Sequence, residues 1–384
     1  MAPFWKITRE IRRLLKQPFD KAGDATTYVF GALYYDVFLS GKCQVHEGHQ
    51  PTSRRRAVYL VYPSDGVLPS HLRSLEYLAR KGISTTIISN QPLSKAEIQT
   101  LKPLCNTCIE RPNFGYDFGG YRDGVLSLAA DFAEMDQLIL LNDSVWFPIS
   151  EKTDWLDDIQ HLNVNFGAAT SNYGLPRPDP AAFRQIDFNY RTDHHNFHYA
   201  SFALSFDAEI LSHPEFMRFW KNFALTNKKK RVVRRGEIGL TRWVLKQNFT
   251  HAETLGVQQL EAVLNDLDEP RLREVARLII ISEDTRLQQV RNDLEGKMHT
   301  LNRSEVMSFI LTVVARQGAS YALAPLSVSE LGFPFFKKSP LWLSKESSDN
   351  SMEILKRLAT PAALEALVEA EVLRERLKPI LHSS

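Results

Sequence analysis

Hydrophobic and polar positions change period repeatedly after residue 56. RAVYLVY, residues 56–62, is an unbroken apolar run of strand length, and PSDGVLPS follows as a loop. SHLRSLEYLARKG sets Leu72, Leu75 and Leu78 at helical spacing and stops on Gly82, which predicts an amphipathic helix. ISTTIISN predicts a second strand, SKAEIQTLKPL a short helix, and NTCIER a third strand. YRDGVLSLAADFAEM then predicts a helix and MDQLILLNDSV an apolar strand with a polar tip. Strands alternating with helices imply right-handed βαβ units and a mostly parallel sheet covered on both faces. Ligands of such sheets bind beyond the carboxyl ends of the strands. Polar groups gather at such ends here: Ser64 with Asp65, Ser89 with Asn90, and Asn142, Asp143 and Ser144.

Between the third strand and its helix lies RPNFGYDFGGYRDG, residues 111–124. Glycines at that density permit positive φ and close backbone approach, either to a ligand or to another part of the chain. If this turn and the tip of LILLNDS follow neighbouring parallel strands, both stand on one rim. A nucleotide diphosphate with a divalent cation suits that rim, because a magnesium-type ion is commonly held by one or two carboxylates plus phosphate oxygens. The dinucleotide fingerprint G-x-G-x-x-G is missing after the first strand, where PSDGVLPS stands instead.

Helical spacing returns in residues 257–315 (Leu260, Val263, Leu264, Leu267, then Leu272, Val275, Leu278) and again in 351–381, with KESSDNS, residues 345–351, reading as a polar linker. Length and charge add bounds. A chain of 384 residues is long for a single core, which favours a domain with a helical extension. Its formal charge of +2 gives no global case for a nucleic-acid partner. Three cysteines, two of them in a lone C-x-x-C, make neither a disulfide framework nor a zinc site and fit a reducing cytoplasm. No apolar run reaches the ~20 residues that cross a bilayer. The N-terminal stretch sets Trp5, Ile7, Ile11, Leu14 and Leu15 among Lys6, Arg9, Arg12, Arg13 and Lys16. That pattern suits either packing on its own domain or a peripheral contact with an anionic membrane surface.

The run Asn113-x-Gly115-x-Asp117-x-Gly119, a helix, and then Asp136-Gln-Leu-Ile-Leu-Leu-Asn142-Asp143-Ser144 resembles the rhamnan synthesis protein F family of bacterial polysaccharide glycosyltransferases. More loosely it is similar to the N-x-G, helix, strand, D-x-D run of GT-A glycosyltransferases. The likeness continues through HYASFALSF (198–206), FMRFWKNF, GEIGLTRWVLKQNF and GFPFFKKSPLWL (332–343). It implies a GT-A-like (Rossmann-like) α/β fold, a nucleotide-sugar donor of rhamnose or another deoxyhexose, Mg²⁺ or Mn²⁺, and a glycan or lipid-linked glycan acceptor. It further implies a cytoplasmic site of action, with peripheral association at the inner face of the cytoplasmic membrane. The division that follows is an N-terminal helical segment (1–55), a donor-binding and catalytic domain (56–256) and a helical region (257–384) whose loop 320–343 returns to the active site.

The same likeness puts Asp143 where the metal- and diphosphate-binding acid belongs, flanked by Asn142 and Ser144, although N-D-S offers one carboxylate where D-x-D has two. Asn113, Gly115 and Asp117 match the donor-contacting turn, and Asn90 the nucleobase end of the second strand. Asp117 has a second reading as a helix cap. Deprotonating an acceptor hydroxyl needs a base, and Glu237 stands at the matching acidic position, opening a helix; acids also favour that turn through the macrodipole. Asp193 is the reserve base. His198 heads the acceptor-side strand, as a sugar contact or as a structural histidine, while His194, His195 and His198 lack the carboxylate companion of a zinc motif. Lys337 and Lys338, flanked by aromatics, suit either neutralising a departing diphosphate or snorkelling from a packed core. KKKRVVRR, residues 228–235, reads as a solvated segment or as a receiver of phosphate-bearing groups.

Overall fold

A computed structural model describes residues 31–150, 152–282 and 284–381; the basic amphipathic stretch around Trp5, Ile11 and Leu15 lies outside the described residues. The strands are β1 (Gln44–Glu47), β2 (Arg55–Val61), β3 (Ser84–Ser89), β4 (Thr107–Glu110), β5 (Gln137–Asn142), β6 (Val145–Trp146), β7 (Phe166–Asn172), β8 (His198–Tyr199), β9 (Ala203–Asp207), β10 (His251–Leu255) and β11 (Phe336–Lys337). The main sheet runs in the order β1-β4-β3-β2-β5-β9-β7-β10, with β8 beside β7. β4, β3, β2 and β5 are mutually parallel, β9 is antiparallel to both β5 and β7, and β10 is parallel to β7. The chain is therefore α/β, a mixed, mostly parallel sheet flanked by helices. The carboxyl ends of β2, β3, β4, β5, β7 and β10 consequently share one rim.

The two faces of the sheet separate by strict alternation. Ala57, Tyr59 and Val61 of β2 join Ile87, Ile139 and Leu141 on one face, under Leu75 and Leu78 of the helix Pro69–Arg80. Val58 and Leu60 join Ile88, Leu138 and Leu140 on the other, under Phe118, Tyr121 and Val125 of the helix Tyr116–Ser127. Each such side chain contributes about 1.5–3 kcal/mol on burial, so a one-residue slip of β2 would be prohibitive. The first face is shared with the C-terminal region: Leu272, Val275, Phe309, Ile310 and Val313 belong to the same cluster as Ala57 and Ile139.

The glycine-rich helix rests directly on the sheet. A Cβ on Gly120 would stand 2.4 Å from Leu60 Cδ1, and one on Gly124 would stand 2.4 Å from Val58 Cγ1. These two glycines therefore serve helix–sheet packing. Gly115, at φ +88°, makes the turn that starts the helix.

One expected linker is helical. KESSDNS opens the helix Lys345–Leu358, because Ser344 caps it by accepting from Ser347 N, and Ser347, Ser348 and Ser351 are small enough to be buried. Ser347 Oγ donates to the Ile281 carbonyl at 2.7 Å, so a polar run becomes an internal face. Among the described residues no helix is long and apolar enough to cross a membrane.

Candidate active site

A cavity of about 1140 Å³ opens at the carboxyl rim, lined among others by Tyr116, Asp117, Asn142, Ser144, His198, Lys229, Glu237 and Lys337. Local backbone chemistry places the central groups. Where β5 ends, Asn142 folds into a turn: its Oδ1 accepts from Ser144 N at 3.1 Å and Ser144 Oγ at 2.6 Å. This frees its Nδ2 to donate toward Asp117 Oδ2 at 3.4 Å. β11 pairs antiparallel with β6, setting Lys337 opposite Val145, and Lys337 Nζ donates to Ser144 Oγ at 3.2 Å. Phe202 lies beneath that ammonium, 4.1 Å from ring centroid to Nζ. A connected row, Asp117, Asn142, Ser144, Lys337, thus joins three distant parts of the chain.

Charges along this row are incompletely compensated. Burial pushes the Asp117 carboxyl up to about 6, helped by the nearby negative charge of Glu237. Burial draws Lys337 down to about 8, against the pull of Glu237 and Asp117 toward the charged form. The helix Tyr116–Ser127 has no side-chain cap, so capping does not explain Asp117. Counted over the whole lining, Lys229, Lys230, Lys337, Arg177 and Arg316 face Asp117, Glu237 and Asp284, an excess of cations that suits an anionic ligand.

Glu237 opens the helix Glu237–Lys246 at the rim. Its Oε1 accepts from Ser201 Oγ at 2.5 Å, and its Oε2 lies 3.5 Å from His198 Nε2. His198 Nδ1 faces the Asn196 carbonyl at 2.7 Å and so donates to it, which fixes the ring with Nε2 toward Glu237. These two groups, far apart in sequence, come together because β8 and the helix meet beyond β7.

Other expected residues stand elsewhere. Asp143 does not line the cavity: its Oδ2 accepts from Tyr62 N at 2.6 Å and lies 3.3 Å from His71 Nε2. Burial works against its charge, but those partners and Lys338 outweigh burial and hold its carboxyl below the ordinary range. Lys338 is buried with Glu369 (3.0 Å) and Ser70 Oγ (2.8 Å), fastening the helix Pro361–Leu381 to the helix Pro69–Arg80. Asn90 is buried and accepts from Arg111 at 2.6 Å. Gly115 N–H is committed to Asn227 Oδ1 at 2.8 Å, and Asn113 is exposed outside the cavity. Asp193 is exposed and paired with Arg191; it does not line the cavity either.

Lys229 and Lys230 enter from the helix Lys229–Arg235; both are exposed and both line the cavity, which is compatible with either reading of the basic run, a solvated segment or a receiver of phosphate-bearing groups. Tyr116, from the glycine-rich turn, also lines it, as do Tyr173, Arg177, Arg316 and Tyr321, which carry no motif; nothing in the local sequence of these four marks them.

As to a metal, no group of three or more His, Cys, Asp or Glu side chains among the described residues is arranged to hold an ion. The cavity nonetheless offers hard oxygen donors in Asp117 and Ser144, which stand on either side of Asn142 along the row, and Asp117 is a carboxyl whose charge burial disfavours and a bound cation would compensate. A magnesium-type ion held by one carboxylate and the oxygens of a bound diphosphate fits that donor set.

Comparison with known proteins adds the following. The model of the family described as rhamnan synthesis protein F matches residues 85–301. The protein y4gN of Sinorhizobium fredii is 32% identical over 274 residues, covering 70% of this chain and 66% of that protein, so the match spans just under two thirds of the relative's length. Among solved structures, the chain is similar to S. aureus TarS 1-349 (10% identity, TM-score 0.27, 82% and 83% of the two chains). It is likewise similar to the mannosyltransferase PcManGT of Pyrobaculum calidifontis, in complex with GDP-Man and Mn²⁺ (10%, 0.27, 92% and 96%). The mannosyltransferase Ktr4p of S. cerevisiae gives 11%, 0.26, and 47% and 63%.

Proposed function

From the premise that this chain belongs to the rhamnan synthesis protein F family, we propose that it is a glycosyltransferase moving a sugar from a nucleotide-sugar donor to a growing cell-surface polysaccharide. Rhamnose or another deoxyhexose is the donor sugar in this reading, and a glycan or lipid-linked glycan the acceptor. The observation that carries it is the row Asp117, Asn142, Ser144, Lys337 in a cation-rich cavity at the sheet's carboxyl rim.

Glu237 is the proposed base. It accepts the acceptor hydroxyl's proton while that oxygen bonds to the anomeric carbon and the bond from that carbon to the diphosphate oxygen breaks. Ser201 holds the carboxylate for this task, with the His198 ring packed beside it. The charge left on the nucleoside diphosphate meets Lys337, assisted by Lys229 and Lys230. A Mg²⁺ or Mn²⁺ ion bound with the donor would be held by Asp117 and would add further neutralisation of the diphosphate. Asp143, expected to hold the metal, acts in this reading through the β2 and β5 tips by its bonds to Tyr62 and His71.

The engagement of Asp143, in a motif with one carboxylate, favours a second reading: a non-catalytic glycan- or nucleotide-binding module. Incubating the purified protein with a panel of nucleotide sugars, Mg²⁺ or Mn²⁺ and candidate acceptors decides between them. Release of nucleoside diphosphate is expected from the enzyme; binding without release supports the module.

A further inference from the structure

The part of the cavity wall that follows β7 has its own construction. β7 finishes at Asn172, and the next residue, Tyr173, sits at φ +57°, the left-handed region that a bulky L residue rarely adopts. Neighbours impose this conformation: His194 Nδ1 donates to the Tyr173 carbonyl at 2.7 Å, and Arg191 N donates to the Gly174 carbonyl at 2.6 Å. The result is a tyrosine ring on the cavity wall, with its centroid 5.5 Å from the His198 ring. His198 in turn neighbours Glu237. Backbone strain held in place around a cavity is a signature of a working surface.

The opposite wall comes from the helix Arg303–Gln317, whose end approaches Asn172 more closely than any side chain would allow. A Cβ on Gly318, at φ +88°, would stand 2.1 Å from Asn172 Oδ1. Asn172 Oδ1 and Gln317 Nε2 are both buried and have no hydrogen-bond partner among the described residues. Turned into the cavity, this amide oxygen and amide nitrogen would be satisfied by a ligand that both donates and accepts. Arg316 does not call for an anion, because its Nε and one terminal nitrogen bind Asp284 at 2.7 and 2.6 Å and the other binds the Pro178 carbonyl at 2.6 Å. Tyr321 joins this wall to the strand rim: its hydroxyl accepts from Ser339 Oγ at 3.2 Å and its ring centroid lies 5.5 Å from Lys337 Nζ.

We infer that Asn172, Tyr173, Gln317 and Tyr321 form the acceptor subsite, which binds the terminal sugar of a neutral glycan with its attacking hydroxyl directed to Glu237. A pyranose presents an apolar face to a tyrosine ring and hydroxyls that donate to an amide oxygen and accept from an amide nitrogen, which are the groups left unpaired here. The helical region thereby selects the acceptor while the strand rim holds the donor. This inference rests on the glycosyltransferase reading, and its test is separable from that reading.

The probes are the methyl α-glycosides of rhamnose, glucose, galactose, mannose and N-acetylglucosamine, observed by saturation-transfer NMR on the full chain. UDP, GDP and dTDP are titrated in parallel by calorimetry. At least one glycoside is expected to bind the wild type. Tyr173→Gly relieves the backbone conformation, so it should fold with an unchanged or higher Tm, weaken that glycoside at least tenfold, and leave nucleotide affinity within twofold. Gln317→Leu should weaken the glycoside in the same direction. Failure of every glycoside to bind the wild type, or undiminished glycoside binding in both variants, overturns the subsite. Loss of nucleotide binding by the wild type alone would instead remove the donor reading.

Discussion

The two walls of the cavity treat charge in opposite ways. On the strand rim, Asp117 and Lys337 belong to a short hydrogen-bonded row, yet burial pulls the carboxyl up to about 6 and the ammonium down to about 8. On the helical wall, Asp284 is also penalised by burial, but hydrogen bonds from Arg316, Leu287 N and Arg177 more than offset the penalty and hold it low. The first wall keeps its ions poised for something that arrives and leaves. The second spends its ions on itself and presents shape, aromatic faces and unpaired amides. Donor chemistry and acceptor selection are separated in the same way in the account above.

The largest expected effect tests the rim. Glu237→Gln should lower transfer by roughly 10²–10⁴-fold, the usual contribution of a positioned base, while calorimetry finds nucleotide affinity unchanged. The adjacent lysines give the next contrast. Lys338→Met leaves Glu369 buried without its cation, so chemical denaturation should show a loss of about 3–5 kcal/mol, with nucleotide affinity retained by the folded fraction. Lys337→Met should reverse that pattern, weakening nucleoside diphosphate binding by about tenfold or more, roughly 1.4 kcal/mol, with little loss of stability.

A packing test comes third. Gly124→Ala drives a methyl into Val58 and should destabilise by about 1–3 kcal/mol without a specific effect on the donor. The smallest effects come from pH. With Mg²⁺ present, donor affinity should fall below about 6 as Asp117 gains a proton, and it should fall above about 8 as Lys337 loses one. Because the folded pKa of Asp117 is raised, the native state binds more protons than the unfolded chain between its ordinary value, about 4, and about 6. Stability therefore declines as pH rises through that window. Asp117→Asn should be more stable than wild type by about 1 kcal/mol at pH 7, after allowance for partial exposure, and no more stable at pH 3.

What the sequence conveyed depends on how local each signal is. Continuous apolar runs such as MDQLILLN mark strands buried on both faces, and the alternation of period places them in a parallel arrangement. Consequently β2, β3, β4 and β5 were legible together with their helices. The antiparallel insertion of β9 between β5 and β7 was not, because pairing direction is decided by partners far along the chain. The serines of KESSDNS look like linker chemistry until a helix buries them. At the site, Asp117, Asn142, Ser144, His198, Glu237 and Lys337 were all nameable from motif positions, and the cavity gathers them. Which acid of the glycine turn and the N-D-S tip faces the cavity was not legible, because it depends on His71 reaching Asp143 from another helix. Nor could the FFKK run say that Lys337 enters the cavity while Lys338 locks the C-terminal helix, since neighbouring strand residues point to opposite sides. Tyr173 is the extreme case: its left-handed backbone is imposed by His194 and Arg191 across a loop.

The most direct test of the central claim is a calorimetric titration of wild type and Asp117→Asn with UDP, GDP and dTDP at pH 7, with and without Mg²⁺. At least one nucleoside diphosphate is expected to bind the wild type and, with Mg²⁺ present, to bind the folded variant at least tenfold more weakly. Equal affinity of the two proteins in Mg²⁺, or no binding of any of the three to wild type, would contradict the assignment of this cavity to a nucleotide-sugar donor.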